Sequence, residues 1–377
     1  MKLIKELKWQ GENMEKRGIG MMISIVNLII LFTIFTLYQN ALGCDTGNPI
    51  NKGGPDDHPY IVFDGGQGPG FCLRKGQGMP IYWVNTSTQT LVVQDTDFAY
   101  AGLGPKIAMT RTYNYPRSTD PPNLSSTFGK SWSFAYESTV DHSGQSSSPK
   151  KVTLHGGSGQ SADWTINLSS PTPVEASPPV GIHDKPLFHH RLTWYGSYWL
   201  FEEKKTRLTY RYDKVAGSNI SRLVSIADSD GNAVTINYNQ DGTIHGITDA
   251  AGRLTTFAYD ANKRCTSLTT PDGRQATYEY DSNGNLIKTF DFLGSMVTYT
   301  YDTYHYMTSM TAAGKTTQFN REGYSQIQSI TDARGNVTHY EGDFYGSTLI
   351  TDPEGGVRTY SNTGDYGSTS EIRDAFR

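Results

Sequence analysis

Cysteine is scarce, with three in 377 residues, at Cys44, Cys72 and Cys265. A fold held by disulfides needs more of them at closer spacing, so that class is excluded. One Cys44–Cys72 bridge is open to an exported chain; the alternatives are three unpaired thiols or a lipidated Cys44. A basic excess is missing as well. Lys and Arg number 33 against 37 Asp and Glu, the formal charge is −4, and no basic face is indicated for nucleic acid. No helical period of apolar residues follows residue 45. Chemical signatures are also lacking: there is no His-Glu-x-x-His, no Gly-x-Ser-x-Gly and no spaced pair of cysteines. Asp228-Ser-Asp230-Gly231-Asn232 opens like a calcium loop but lacks the later ligands, and it reads as a turn. His189 and His190 are adjacent, so a regular strand points them to opposite faces. The glycines of Asp64–Gly70 lack the Lys-Ser/Thr of a phosphate loop. No two carboxylates are singled out as an acid/base pair. The sequence therefore assigns no catalytic residue, no cofactor and no metal site.

What is abundant is Gly (39) and Tyr (24), which suit tight turns and a pleated, half-buried surface. The glycines are not scattered. Gly231, Gly252, Gly273, Gly294, Gly314, Gly335 and Gly355 follow one another at steps of 21, 21, 21, 20, 21 and 20 residues. Tyr238, Tyr259, Tyr280, Tyr301, Phe319, Tyr340 and Tyr360 are read as the aromatic row that accompanies them. A fixed period of this length means one supersecondary unit copied along a line. In each unit two short strands alternate with two turns, as in Ala276–Tyr280, then Asp281-Ser-Asn-Gly-Asn285, then Leu286–Phe290. Asn-Gly there is expected to supply the positive φ angles of a tight hairpin. The recurrent Asp residues fit the turns. Stacked units form a continuous twisting sheet whose end strands need caps, and the region before Ser221 is placed to cap one of them. Aromatic rows on such a sheet are buried between layers or, alternatively, displayed for stacking on sugar rings.

The N-terminal stretch has a different character. No charged residue lies between Arg17 and Asp45, and Met21–Tyr38 is apolar. Lys16 and Arg17 in front of it leave the remainder outside the cytoplasm. Ala41-Leu-Gly43-Cys44 then offers small residues for a signal peptidase and resembles a lipobox, so Gly43 and Cys44 are the candidate cleavage or lipidation positions. Met14 begins a normal n-region and is the expected start. A buried core helix is the alternative for this segment. The expected organisation is thus an n-region at 1–20, a signal peptide or membrane anchor at 21–43, and a Gly/Pro-rich linker at 44–80. An antiparallel β domain at 81–220 follows, then about seven repeats at 221–377. Strands within the β domain are expected at Lys106–Tyr115, Phe128–Glu137 and several shorter runs up to Tyr212.

Several of these residues resemble a known family. Tyr280-Asp281-Ser-Asn-Gly284-Asn285 resembles the core of the YD repeat of bacterial RHS proteins, with further copies at Tyr259-Asp260 and Tyr301-Asp302. Upstream, Arg111-Thr112-Tyr113-Asn114 and Phe128-Gly129-Lys-Ser-Trp132 resemble the signature of the β domain that precedes such repeats. The resemblance implies an all-β chain, an antiparallel domain followed by a β-sheet spiral that is part of an RHS shell. It implies a non-catalytic bacterial scaffold that encloses or delivers a C-terminal toxin, to which the N-terminal segment adds the expectation of export. The partner is then that toxin or a downstream shell segment, and the membrane is met only through the N-terminal segment. The alternative is a cell-surface protein that binds carbohydrate or a neighbouring cell. Seven repeats are too few to close a shell. Asp352-Pro353-Glu-Gly355 has the form of the family's core-terminating motif but sits inside the repeats, where it reads as a turn. The chain is accordingly expected to be the front of a longer or truncated gene.

Overall fold

Short runs of alternating apolar and polar residues, broken by Asp- and Gly-containing turns, can bury one face only as strands. The computed structural model describes residues 80–374, apart from 86–87, 101, 115–125, 143–149, 160, 168–170, 179–189, 205, 322–325, 343–346 and 363–368. Among them every named element is a strand, and all pairings are antiparallel. The all-β expectation therefore holds. The proposed membrane segment, Gly43, Cys44 and Cys72 lie outside the described residues. No helix among the described residues is long and apolar enough to cross a membrane.

Three assemblies make up this structure. The first is a four-stranded sheet of β1 (Ile81–Val84), β2 (Leu91–Tyr100), β3 (Ile107–Asn114) and β4 (Trp132–Phe134), in sequence order. Only three residues of the expected strand at Phe128–Glu137 are extended. Gly129 (φ 82°) and Ser131 (φ 62°) are left-handed, and they turn the chain before Trp132.

The second is a ring of β5 (Thr139–Asp141), β6 (Lys150–His155), β7 (Ser161–Ile166), β8 (Val174–Ala176), β9 (Arg191–Trp194), β10 (Tyr198–Glu203), β11 (Leu208–Lys214) and β12 (Ile220–Ala227). Each strand pairs with the next; β7 and β8 are joined through Thr165 and Ser177. β12 returns to β5 and closes the ring. Eight strands enclose a space that side chains just fill. Val152, Leu154, Trp164, Phe201, Tyr212 and Leu223 fill this one, all at 0% exposure.

The third is the repeat sheet: β13 (Ala233–Tyr238), β14 (Ile244–Thr248), β15 (Leu254–Tyr259), β16 (Cys265–Thr269), β17 (Gln275–Tyr280), β18 (Leu286–Phe290), β19 (Met296–Tyr301), β20 (Met307–Ala312), β21 (Lys315–Arg321), β22 (Ile327–Thr331), β23 (Val337–Gly342), β24 (Ser347–Thr351), β25 (Val357–Asn362) and β26 (Thr369–Asp374). Every strand pairs with its sequence neighbours, without a crossover. β12 belongs to both ring and sheet. One edge pairs with β11 along its length, while the other edge forks: Ile220–Arg222 meets β5 and Ser225–Ala227 meets β13. The ring thus covers half of the edge on which the repeats begin.

One turn chemistry recurs through most of the repeats. The Asp281 carboxylate accepts hydrogen bonds from the N–H groups of Asn283 (2.9 Å) and Asn285 (2.8 Å). Asp228, Asp249, Asp260, Asp291, Asp302 and Asp332 do the same at their own turns. The left-handed residue of the Asp281 turn is Gly284 (φ 86°), not Asn283. The hairpin is therefore a type I turn followed by a glycine bulge rather than the two-residue turn expected from Asn-Gly. The glycine row at Gly231–Gly355 is left-handed at all seven positions. The aromatic row needs correction after Tyr301. Tyr280 and Tyr301 sit at a register shift, opposite Leu286 and Met307. In the next hairpin Arg321, opposite Ile327, takes that position. Phe319 pairs with Ile330 and so falls in the row of Tyr278 and Tyr299, two residues earlier along the strand. One missing residue between Gly294 and Gly314 conceals this in the sequence.

The four-stranded sheet lies across one face of the repeats. Phe134 packs on Phe257, Phe98 on Phe292, Trp132 on Tyr299 and Tyr82 on Phe319, with ring centroids 5.2–6.0 Å apart. Edge-to-face contacts at this spacing suit aromatic quadrupoles. The other face is rich in hydroxyls and amides, as in Thr300 against Ser309 and Asn320 against Ser329.

Candidate functional site

The described residues concentrate their buried charge where the four-stranded sheet meets the repeats. Arg111 on β3 stands opposite Asp95 on β2. Asp97, two residues further along β2, reaches the same guanidinium across a register shift. The Arg111 side chain is wholly buried, with Nη2 2.7 Å from Asp95 Oδ2. Its Nε and Nη2 also donate to the two oxygens of Asp97, at 3.0 and 2.9 Å. A two-point grip of this kind fixes direction as well as distance. The repeats complete the shell. Tyr278 donates its hydroxyl to Asp97 at 2.6 Å, and Arg111 Nη1 reaches the Tyr299 hydroxyl at 3.4 Å. The guanidinium lies over the rings of Trp132 and Tyr278, 5.1 and 5.5 Å from their centroids. A buried charge without such partners would neutralise or unfold its surroundings. The phenols from the repeats supply partners that water would otherwise provide once the two sheets close over the cluster.

A second set of bonds runs along the rim of the repeats. At each register shift the carbonyl of one residue is capped by the tyrosine of the next hairpin. Tyr238 donates to Leu223 O (2.6 Å), Tyr259 to Ile244 O (2.7 Å), Tyr280 to Cys265 O (2.7 Å) and Tyr301 to Leu286 O (2.8 Å). Arg321 Nη1 does this for Met307 O at 2.7 Å. The N–H groups of the same row are met from the N-terminal side. Leu223 N–H donates to Ser138 O (3.1 Å), Cys265 to Thr127 O (2.7 Å) and Ile327 to Gln89 O (2.8 Å). Met307 N–H donates to the Tyr113 hydroxyl at 2.9 Å. Buried backbone groups need such partners. These four N–H groups meet the chain before the ring in reverse order, from Ile327 with Gln89 back to Leu223 with Ser138. Arg321 is a poorer substitute for tyrosine. It lies over Tyr306 at 4.9 Å, but its Nε and Nη2 are buried with no hydrogen-bond partner among the described residues, and burial lowers its pKa.

Most residues picked from the sequence converge here. Besides Arg111 and Tyr113, Phe128 packs edge-on against Tyr278 at 4.8 Å. Gly129 lies against the Asp281 turn, where a Cβ would stand 2.5 Å from Gly284 O, and Lys130 N–H donates to that same carbonyl at 3.0 Å. Trp132 Nε1 donates to the Tyr301 hydroxyl at 3.1 Å. Thr112 and Asn114 serve their own sheet: Thr112 O accepts from Ser133 Oγ, and Asn114 N–H donates to Ser131 O. Asp260, Asp281 and Asp302 hold turns and do not join the charged cluster. Asp95, Asp97, Tyr278 and Tyr299 were not singled out from the sequence. The available signal was Asp95-Thr-Asp97, two carboxylates on one face of a strand otherwise rich in buried apolar residues.

Two family models match parts of the chain. The RHS Repeat family matches residues 238–275, 259–295 and 280–317, windows that open on Tyr238, Tyr259 and Tyr280. The Domain of unknown function DUF6531 matches residues 82–164, which span the four-stranded sheet and the first strands of the ring. No curated protein matches the chain. Among solved structures, a Photorhabdus luminescens Tc holotoxin pore is 10% identical, with a TM-score of 0.32 over 76% of this chain and 18% of that one. A TcdB2–TccC3–Cdc42 crystal structure is 8% identical, with a TM-score of 0.33 over 79% of this chain and 15% of that one. This chain thus corresponds to less than a fifth of either of those chains. The chain thus carries three matched RHS repeats behind a matched DUF6531 segment.

Proposed function

We propose that this chain is a non-catalytic scaffold, the front of an RHS-type shell that encloses or delivers a C-terminal toxin. The observation that carries this reading is the double fastening of the N-terminal sheet to the repeats, through the Arg111 cluster and the rim N–H groups. It makes one wall of two assemblies that appear in the same order as the two matched families. The wall has one face lined by buried aromatic rings and one by hydroxyls and amides. The test is the native product, isolated from its own cell with an antibody to the repeats. The expected product is much heavier than 41.8 kDa and carries a toxic domain. A native product no heavier than this sequence, with no toxic partner attached, would overturn the reading. We further propose export through the apolar segment at 21–43. Protease accessibility of the repeats on intact cells tests that step, and full protection would exclude it.

Carbohydrate or cell binding is the second reading. The buried state of Tyr212, Tyr278 and Tyr299 removes them as stacking platforms. Such binding would fall to the hydroxyl-rich face instead. A broad glycan array probed with the folded chain tests it, and silence across the array would exclude it.

A further inference from the structure

The buried junction carries an excess of negative charge. Two carboxylates, Asp95 and Asp97, address the single guanidinium of Arg111. The repeats add the phenol of Tyr278 from β17, which donates to Asp97, and that of Tyr299 from β19, which accepts from Arg111. A third carboxylate, Asp291, contributes from the turn between β18 and β19. One negative charge is therefore left without a counter-charge in a largely enclosed place, where a neighbouring like charge disfavours ionisation of Asp95. The two carboxylates are not equivalent. Asp97 is gripped at both oxygens by Arg111, accepts the Tyr278 hydroxyl as well and is 1% exposed. Asp95 is bonded to Arg111 through one oxygen, and its side chain is 23% exposed. Solvent can deliver a proton to Asp95 without breaking the grip on Asp97.

We propose that this junction is a proton-operated fastener: Asp95 takes up one proton as the surroundings are acidified from neutrality, and the uptake holds the four-stranded sheet more firmly on the repeats. The idea stands apart from the toxin reading, since it concerns only how the wall is held. Burial first, then Asp97 and Asp291, outweigh Arg111 and push the Asp95 carboxyl up to about 6. For a carboxyl raised on folding, the folded state binds the extra proton. The stabilisation is fully present below the ordinary carboxylate range and is lost as pH rises through about 6. The turn carboxylates act in the opposite sense. Hydrogen bonds from Arg274 and Thr270 hold Asp272 down at about 2, so its contribution is lost only as pH falls through that value. The fastener therefore works in a window above the acid limit of the turns. A wall built this way keeps one face covered in a mildly acidic compartment.

The experiment is urea unfolding of the full chain at several pH values between about 7.5 and 5, for the wild type and for Asp95→Asn. In the wild type the equilibrium constant for docking should rise roughly tenfold or more on acidification, since a carboxyl displaced upwards by one pH unit gives a factor of ten. The variant, which carries the neutral side chain permanently, should be at least as stable at neutrality as the acidified wild type, with a flat profile over this range. Parallel profiles for the two proteins would overturn the proposal. If the variant fails to fold, carboxyl NMR of the wild type decides. An Asp95 midpoint near 6 supports the fastener, and a midpoint in the ordinary carboxylate range overturns it.

Discussion

The ring and the repeat sheet are made of similar short strands, yet they bury themselves in different ways. The ring closes on itself, because β12 returns to β5, and its core is filled by its own side chains. The repeat sheet does not turn back on itself among the described residues. A lone hairpin is barely stable in water, and a flat succession of hairpins exposes one aromatic face. That face is covered by a segment from elsewhere in the chain, the four-stranded sheet. The ring is therefore stabilised by closure, and the repeats are stabilised by a cover. A cover can be lost locally, whereas a closed ring opens only as a whole.

The largest break in this comparison is Arg111→Ala. It leaves Asp95 and Asp97 in the junction without their cation, an effect of about 3–5 kcal/mol. Urea unfolding should show the covered repeats melting early while Trp164 and Trp199, inside the ring, keep their native fluorescence. Loss of less than about 1 kcal/mol would mean that the cluster is not the fastening. Next comes the contrast between two left-handed glycines. Gly129→Ala forces a Cβ onto Gly284 O and should cost about 2 kcal/mol or more. Gly252→Ala meets nothing within 4 Å and should cost only the backbone strain, about 1 kcal/mol. Equal losses at the two sites, measured by thermal or urea unfolding, would remove Gly129 from the junction.

Tyr259→Phe tests the rim. It removes the hydroxyl that caps Ile244 O and leaves a buried carbonyl unpaired, an effect of about 1–1.5 kcal/mol. Hydrogen exchange should speed up in β14 and β15 but not in the ring. A uniform change would argue that the cap is not local. The smallest effect has the opposite sign. Lys263 (φ 63°) occupies the left-handed turn position that Gly284 fills in the next repeat. Lys263→Gly should therefore stabilise the chain by up to about 1 kcal/mol, less what the contact of Lys263 Nζ with Asp241 O provides. A net loss, measured in the same unfolding assay, would show that this contact outweighs the backbone strain.

Much of this was legible in the residues. The glycine row at 21-residue steps predicted the turns, and all seven glycines are left-handed. Asp281 and its equivalents were readable as turn formers, because a short carboxylate two to four residues ahead of free N–H groups has few other uses. Other features escaped because they depend on register. The sequence alone suggested that Phe319 continues the tyrosine row, whereas the pairing of Arg321 with Ile327 shows that the row passes to an arginine. Asp97 and Tyr278 are 181 residues apart, and nothing local announces their 2.6 Å bond.

The sequence by itself determined the strands, the turns and the repeat, since these depend on side-chain period, on backbone freedom at glycine and on Asp-to-backbone hydrogen bonds within about five residues. Only the tertiary structure decided that β12 is shared between ring and sheet, and that four rim N–H groups meet the chain before the ring in reverse order, from Ile327 back to Leu223. Tertiary structure also brought the phenols of Tyr278 and Tyr299 to the charged cluster of β2 and β3. Those outcomes rest on which distant backbone groups and charges must be satisfied once water is excluded, and that need arises only when the two sheets meet.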